Sequence, residues 1–500
     1  MKKVLRFVFG RFFITSALII LQSVFILLTV FKAASCYVWI NAALSVTTAA
    51  AVIFLTGSDE NSSYKSVWLL TMLIFPLSGG IMFFIAEKGK DSRLKKLSEK
   101  YGGCRENNTV TKKGGISDYI AGCGGFPVFT DTSARYFSCG EEFIGALAEE
   151  LSGAEEFIFL EFFLIADGRA WDMIWDILCS KAAAGVEIKI IYDDLGSICE
   201  LPAVLGGKEL PANISAAAFN PFVPLISAAL GFRDHRKIAV IDGRTAFTGG
   251  INIADEYMNM KPAFGYWKDT AVMVSGGAVS SFTEMFVRFW NFLAKDNNEK
   301  LPHEKYIRGQ SENSSGKTKV QPFADSPFGG ERISENIYID IISRSEKYVY
   351  IFTPYLMIDD QLKNALTLAA GRGVDVRIVT PGIPDKKTVF GITRSYYRPL
   401  VNAGVKIYEF SPGFIHAKSI VSDDRAAAAG SVNLDFRSLY LHFECGVYFE
   451  SGENGAGIIE DMRRDCISIF NLSREVLPEE CGKYARLPAA ALLRAIAPLA

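Results

Sequence analysis

Charged side chains are missing from three long stretches near the start of the chain. Phe12 to Phe31, Tyr37 to Gly57 and Trp68 to Ala86 run for 20, 21 and 19 residues without Asp, Glu, Lys or Arg. Each is long enough to cross a hydrocarbon core of about 30 Å. They predict a membrane anchor of two to three apolar helices over residues 1–90. A cleaved signal peptide fits less well, because its apolar part spans roughly 7–15 residues and a second stretch follows here almost at once. After Lys90 the pattern changes to alternating helical and strand periods. It predicts helices over Glu141 to Leu151 and Ala170 to Ala184 and strands over Glu156 to Ile165 and Val186 to Tyr192. The same order returns as helix Ile333 to Ser345, strand Tyr348 to Pro354, helix Asp360 to Arg372 and strand Val374 to Thr380. Gly185-Val-Glu-Ile-Lys-Ile-Ile and Gly373-Val-Asp-Val-Arg-Ile-Val match almost residue by residue, a glycine closing each helix before a buried strand opens.

This is a duplicated α/β unit with lobes at 126–295 and 331–500. A juxtamembrane connector at 91–125 precedes them, and their inner faces are expected to meet. Between the lobes, 296–330 is rich in Ser, Asn, Lys and Gly and reads as a solvated linker.

The 53 basic and 55 acidic residues nearly cancel. Residues 1–90 hold 8 of the basic and 3 of the acidic ones, leaving 45 against 52 behind them. A mildly acidic body lacks the basic tracks that nucleic acid requires. Basic flanks on both sides of the anchor favour two crossings with the catalytic body on the cytoplasmic face of the cell membrane. Nine scattered cysteines without a CxxC pair read as reduced thiols, in keeping with that side.

Only four histidines occur, and two open the same pattern. His235-Arg-Lys237 is followed by Asp242 and Gly249-Gly-Ile-Asn252, and His416-Ala-Lys418 by Asp423 and Gly430-Ser-Val-Asn433, with seventeen positions from histidine to asparagine in both. One histidine meets the Lys and Asp spacings by chance about once in four hundred trials, and a double match is far rarer. Each half therefore offers an imidazole beside an ammonium. Asn252 and Asn433 are candidate amide donors to a phosphate oxygen, and the glycines allow close backbone approach to an anion. Asp242 and Asp423 belong to the motif, but their place at strand-to-turn positions favours a scaffold role. His303 falls in the linker and His442 beside Phe443. Phe222, Pro224, Leu225 and Ile226, and Tyr355 to Ile358, serve equally as packing or acyl-chain contacts. The arginine-bearing tail from Tyr484 suits either the membrane or the domain surface.

The doubled HxKxxxxD pattern resembles the phospholipase D superfamily. Phe232-Arg-Asp-His-Arg-Lys237, Thr248-Gly-Gly-Ile-Asn252, Trp267-Lys-Asp269, Gly413-Phe-Ile-His-Ala-Lys418 and Asn433-Leu-Asp-Phe-Arg-Ser438 are similar to bacterial cardiolipin synthases. The resemblance implies two α-β-α sandwich lobes sharing one active site behind the transmembrane helices, with no metal or other cofactor. It implies phosphatidylglycerol and membrane lipids as partners. One histidine, assigned as His235, forms a phosphohistidine while His416 shuttles the proton, Lys237 and Lys418 neutralise the phosphate, and a bell-shaped pH profile follows. Carboxylates are expected to fix the second ring nitrogens, Glu444 for His416 and Asp269 for His235. Water or another alcohol as acceptor, and an inactive membrane scaffold, are the competing readings.

Overall fold

The computed structural model describes residues 37–58, 61–75, 79–83, 115–206, 210–221, 231–294, 299–307, 318–451, 457–484, 493–494 and 497. Phe12 to Phe31 and the Phe222 to Ile226 cluster lie outside these residues. Helices α1 (Tyr37–Gly57) and α2 (Ser62–Ile74) pack around Ala51, Leu55, Met72 and Phe83. The third apolar stretch is not one helix: α2 ends at Ile74, ahead of Pro76, and residues 79–83 are helical again. Proline disfavours helical geometry in the residue before it, which stops α2 there. Among the described residues no helix is long and apolar enough to cross a membrane. The hairpin nevertheless exposes Trp39, Val46, Ile53, Phe54, Leu73 and Ile74.

The first lobe contains β1 (Thr132–Phe137), α3 (Gly140–Ser152), β2 (Phe157–Phe162), α4 (Arg169–Ala183), β3 (Glu187–Asp193) and β4 (Ile214–Phe219). It continues with β5 (Arg233–Asp234), β6 (Lys237–Ile241), β7 (Thr245–Gly249), β8 (Tyr266–Lys268), β9 (Ala271–Gly276) and α5 (Val279–Leu293). The second has β10 (Thr318–Asp325), α6 (Ile333–Arg344), β11 (Tyr348–Phe352), α7 (Asp360–Gly371), β12 (Asp375–Pro381) and β13 (Lys406–Phe410). After these come β14 (Gly413–Ile415), β15 (Ser419–Ser422), β16 (Ala426–Gly430), β17 (His442–Ser451), α8 (Ile458–Asn471) and β18 (Ser473–Glu475). The sheet orders β1-β9-β7-β6-β2-β3-β4 and β10-β17-β16-β15-β11-β12-β13 correspond strand for strand, with β18 added at the second edge. The repeated helices and strands fall within a few residues of their expected positions.

The expected linker is shorter than its composition suggests. β10 lies inside 296–330, pairs with β17 along its whole length from Thr318 to Asp325, and buries its last six residues. It is an edge strand, where Pro322 leaves no central ladder bond unmade.

The lobes meet as expected, through one apolar cluster drawn from both. Phe159, Phe286, Phe289 and Trp290 of the first lobe join Tyr348, Phe410, Phe443, Ile459 and Phe470 of the second. Phe289 and Phe443 lie 5.0 Å apart between ring centres, so the contact is direct. Leu356, Met357 and Ile358 are buried in the core of the second lobe rather than presented to a lipid chain. The described part of the tail also packs there: Ala497 is fully buried, and Arg494 donates to the Ser395 carbonyl.

Candidate active site

Short strands carry each histidine across to the opposite lobe. β5 pairs in parallel with the start of β17, and His235 N donates to Phe443 O at 2.9 Å. β14 pairs in parallel with β8, and His416 N donates to Lys268 O at 2.7 Å. The residue after each of these carbonyls is an acid, Glu444 on β17 and Asp269 just past β8, so the exchange decides which carboxylate meets which ring. His235 Nδ1 lies 2.9 and 3.1 Å from the two oxygens of Glu444, and His416 Nδ1 lies 2.7 Å from Asp269 Oδ2. The pairing expected within each lobe is thus corrected to a pairing between lobes. A carboxylate at Nδ1 accepts the ring proton and leaves Nε2 with its lone pair.

The acids are held differently. Glu444 also accepts from the Ser431 hydroxyl, whereas Asp269 Oδ1 accepts from Thr270 N at 2.7 Å. Ser431 corresponds to Gly250 in the first motif. A Cβ built on Gly250 would sit 2.1 Å from Asp269 Oδ1, so the glycine makes room for the acid. Gly249 and Gly430 likewise face neighbouring strand backbone, at Thr270 O and Cys445 O. Close strand approach accounts for Gly249 and Gly430, and room for the Asp269 carboxylate accounts for Gly250.

Aromatic walls exclude water from both rings. Phe163 meets His235 edge-on at 5.1 Å, while Trp267, Phe414 and Tyr257 surround His416 at 5.3, 5.9 and 5.6 Å. Burial, then Lys237, Lys418 and His416, hold His235 well below the usual imidazole range. His416 is held down by burial and then Lys418, Lys237 and Lys386. Burial also lowers Lys237 to about 8 and Lys418 to about 7, against the pull of Asp269 and Glu444. Asp269 is pushed up to about 6 by burial despite the same lysines. Each histidine is affected by both lysines, so the four groups lie close enough to act on one another electrostatically. Lys237 Nζ donates to His235 O at 2.6 Å, and Lys418 Nζ to His416 O, so each ammonium is moored beside its own ring. A phosphodiester entering between them would supply the negative charge that lets one imidazole hold a second proton.

The motif aspartates stand apart. Asp242 Oδ1 accepts from Glu156 N and Phe157 N at 2.7 and 2.8 Å, and Oδ2 from Glu155 N at 2.8 Å. Asp423 makes the same three bonds to Glu346, Lys347 and Tyr348 at 2.6, 2.9 and 2.8 Å. Both adopt positive φ, 53° and 54°, in the hairpin turns β6–β7 and β15–β16. Although they belong to the motif, they tie a turn to the start of the adjacent strand. Asn252 is similarly engaged, accepting from Leu164 N at 3.1 Å and donating to the Tyr257 hydroxyl at 2.6 Å. One of its two amide hydrogens braces Tyr257 behind His416. Asn433 Oδ1 is buried without a hydrogen-bond partner among the described residues.

Ser431, Tyr257 and Phe163 were not evident from the motifs. Only the Ser-for-Gly difference between the two Gly-x-x-Asn runs marked one of them.

A family profile described as "Cardiolipin synthase, PLD-like domain" matches residues 338–466. The cardiolipin synthase of Alkalihalophilus pseudofirmus is 31% identical over 85% of this chain and 87% of its own length. An uncharacterized protein of Streptococcus mutans is 39% identical over 86% of this chain and 95% of its own. The crystal structure of phosphatidylserine synthase from Haemophilus influenzae superposes with a TM-score of 0.57 at 15% identity, covering 76% of this chain and 99% of that one. The likeness to that structure concerns the fold.

Proposed function

Because the chain belongs to the cardiolipin synthase family, with its phospholipase D-like α/β fold, we propose that it moves a phosphatidyl group from one phosphatidylglycerol to another, giving cardiolipin and glycerol. The observation that carries the reading is the reciprocal pair: two buried imidazoles from separate lobes, each with Nδ1 on a carboxylate of the other lobe.

In this reading His235 Nε2, left unprotonated by the Nδ1–Glu444 bond, attacks phosphorus. The phosphorus–oxygen bond to glycerol breaks, and His416 as imidazolium gives its proton to the departing oxygen. Asp269 stabilises that imidazolium. Neutral His416 then takes the proton of a second phosphatidylglycerol hydroxyl, whose oxygen displaces His235 from phosphorus. Lys237 and Lys418 offset charge on the nonbridging oxygens in both steps.

The exposed apolar residues of the α1–α2 hairpin support membrane attachment, with Phe12 to Phe31 adding a further anchor and the lobes on the cytoplasmic face. Exposed Cys199 allows a test: an impermeant thiol reagent should label it in inverted vesicles and not in intact cells. Labelling from outside overturns the orientation.

The reaction is tested by incubating the purified full chain with vesicles of phosphatidylglycerol. Cardiolipin and glycerol in equal amounts are expected. Phosphatidic acid as the main product would replace transfer by hydrolysis, and absence of turnover would refute the enzyme.

A further inference from the structure

The third buried histidine has no part in this reaction, and its surroundings are unusual. His442 opens β17 two residues before Glu444, its ring centre 5.5 Å from that of His235. Neither of its ring nitrogens has a hydrogen-bond partner among the described residues, although both are shielded from solvent. A buried nitrogen left so is costly, and a ligand would relieve it. We propose that His235, His442 and Glu444 form a binding site for a divalent cation of the zinc class, and that its occupancy blocks phosphatidyl transfer.

The geometry is close to a three-ligand site. The candidate ligand atoms of these three residues all lie within 4.8 Å of one another. Glu444 Oε1 is 2.9 Å from His235 Nδ1 and 3.6 Å from His442 Nδ1. Ligands about 2.1 Å from a tetrahedral ion stand roughly 3.4 Å apart, so small side-chain rotations suffice and a fourth position stays open. Two imidazoles with one carboxylate suit zinc better than magnesium or calcium, which favour oxygen alone. Ligation requires neutral rings. The matching position in the first lobe is Trp267, so His416 has no such neighbour and one ion per chain is expected.

Metal on Nδ1 of His235 displaces the proton shared with Glu444. A neutral ring then carries its proton on Nε2, and the lone pair that would attack phosphorus is gone. This inhibitory half rests on the proposed nucleophile; the binding half does not.

The test uses untagged, chelator-stripped full chain in detergent micelles, titrated calorimetrically with Zn²⁺. Wild type should take one ion with high affinity, and His442→Asn should weaken it at least tenfold, while His303→Ala leaves it unchanged. X-ray absorption of the zinc-loaded wild type should show two imidazole nitrogens, oxygen and no sulfur, a result that does not depend on a variant folding. In the phosphatidylglycerol assay zinc should stop cardiolipin formation, a chelator should restore it, and His442→Asn should need at least tenfold more zinc. Equal zinc affinity in folded His442→Asn, a sulfur ligand, or no binding by wild type overturns the site. Zinc bound through His442 with cardiolipin formation undiminished overturns the inhibition. Zinc bound there by a chain that never makes cardiolipin upholds the site and refutes the synthase reading.

Discussion

Replacing Asp242 by Asn separates scaffold from chemistry at a residue inside the shared motif. Asparagine tolerates the observed φ of 53° and keeps the volume. It can retain one acceptor oxygen for Glu156 N and Phe157 N, bonded at 2.7 and 2.8 Å, but turns a donor toward Glu155 N. One charge-assisted bond is lost, worth about 1.5–3 kcal/mol, and two fall to neutral strength. Water reaches the neighbouring Glu155 and returns part of that loss, which leaves a destabilisation of about 2–3 kcal/mol. For a lobe of this size that lowers Tm by roughly 5–10 °C. Asp423→Asn should cost less, because Asp423 is only half-buried whereas Asp242 is buried. Thermal unfolding followed by circular dichroism, with kcat measured at a temperature where both variants are folded, gives the comparison. A lowered Tm with kcat within about threefold of wild type is expected. An unchanged Tm with kcat reduced a hundredfold would refute the scaffold assignment and return Asp242 to the reacting groups.

Other outcomes follow from the cross-lobe geometry. Glu444→Gln should suppress formation of the covalent intermediate, whereas Asp269→Asn should slow both its formation and its turnover, through the acid and base roles of His416; rapid-quench labelling with ³²P-phosphatidylglycerol reads both rates, and loss of labelling in Asp269→Asn with both steps slowed in Glu444→Gln makes His416 the nucleophile. Gly250→Ala places a carbon 2.1 Å from Asp269 Oδ1, so the acid must move; kcat should fall at least tenfold with KM little changed in vesicle assays. Ser431→Ala removes one bond to Glu444 and should lower kcat about tenfold. Glu335 is raised to about 7 by burial and then Asp359, with Asp325 adding to the rise and Tyr440 and Arg332 opposing it. The folded state therefore holds this proton between the ordinary value of 4.5 and about 7, so its contribution to stability declines as pH rises through that window. Tm measured from pH 5 to 8 should decline less in Glu335→Gln than in wild type.

Much of the fold is legible in local pattern. The paired helix-strand repeats and the two HxKxxxxD runs lie within contiguous segments, where periodicity and spacing are direct consequences of backbone geometry. β10 was hidden because Thr-Lys-Val-Gln-Pro-Phe-Ala-Asp is polar and contains proline, a composition that only an edge position makes compatible with a strand. The glycines were ambiguous for another reason: a missing Cβ admits an anion or a neighbouring strand equally, and the sequence does not say which approaches. Partner choice for the acids was out of reach because the bonds span 209 and 147 residues, and each motif is complete in itself.

The crossing of those bonds has a consequence for how the two lobes work. Were each histidine oriented by an acid of its own lobe, either lobe could set its imidazole tautomer alone, and docking would merely bring two finished halves together. Here docking itself sets the tautomers, because β5 delivers His235 to Glu444 and β14 delivers His416 to Asp269. A misdocked chain has neither a lone pair directed at phosphorus nor a stabilised imidazolium, and so cannot perform half of the reaction and release a hydrolysed lipid. The two supports are also unequal. Glu444 meets its ring with both oxygens and is braced by Ser431, whereas Asp269 uses one oxygen and is packed against Gly250. The two lobes present equivalent histidines; the exchange couples them, and the Ser431–Gly250 difference gives them distinct surroundings. Restoring symmetry with Ser431→Gly should therefore weaken the hold on His235 alone, slowing the step in which it bonds to phosphorus and leaving proton transfer through His416 as it was.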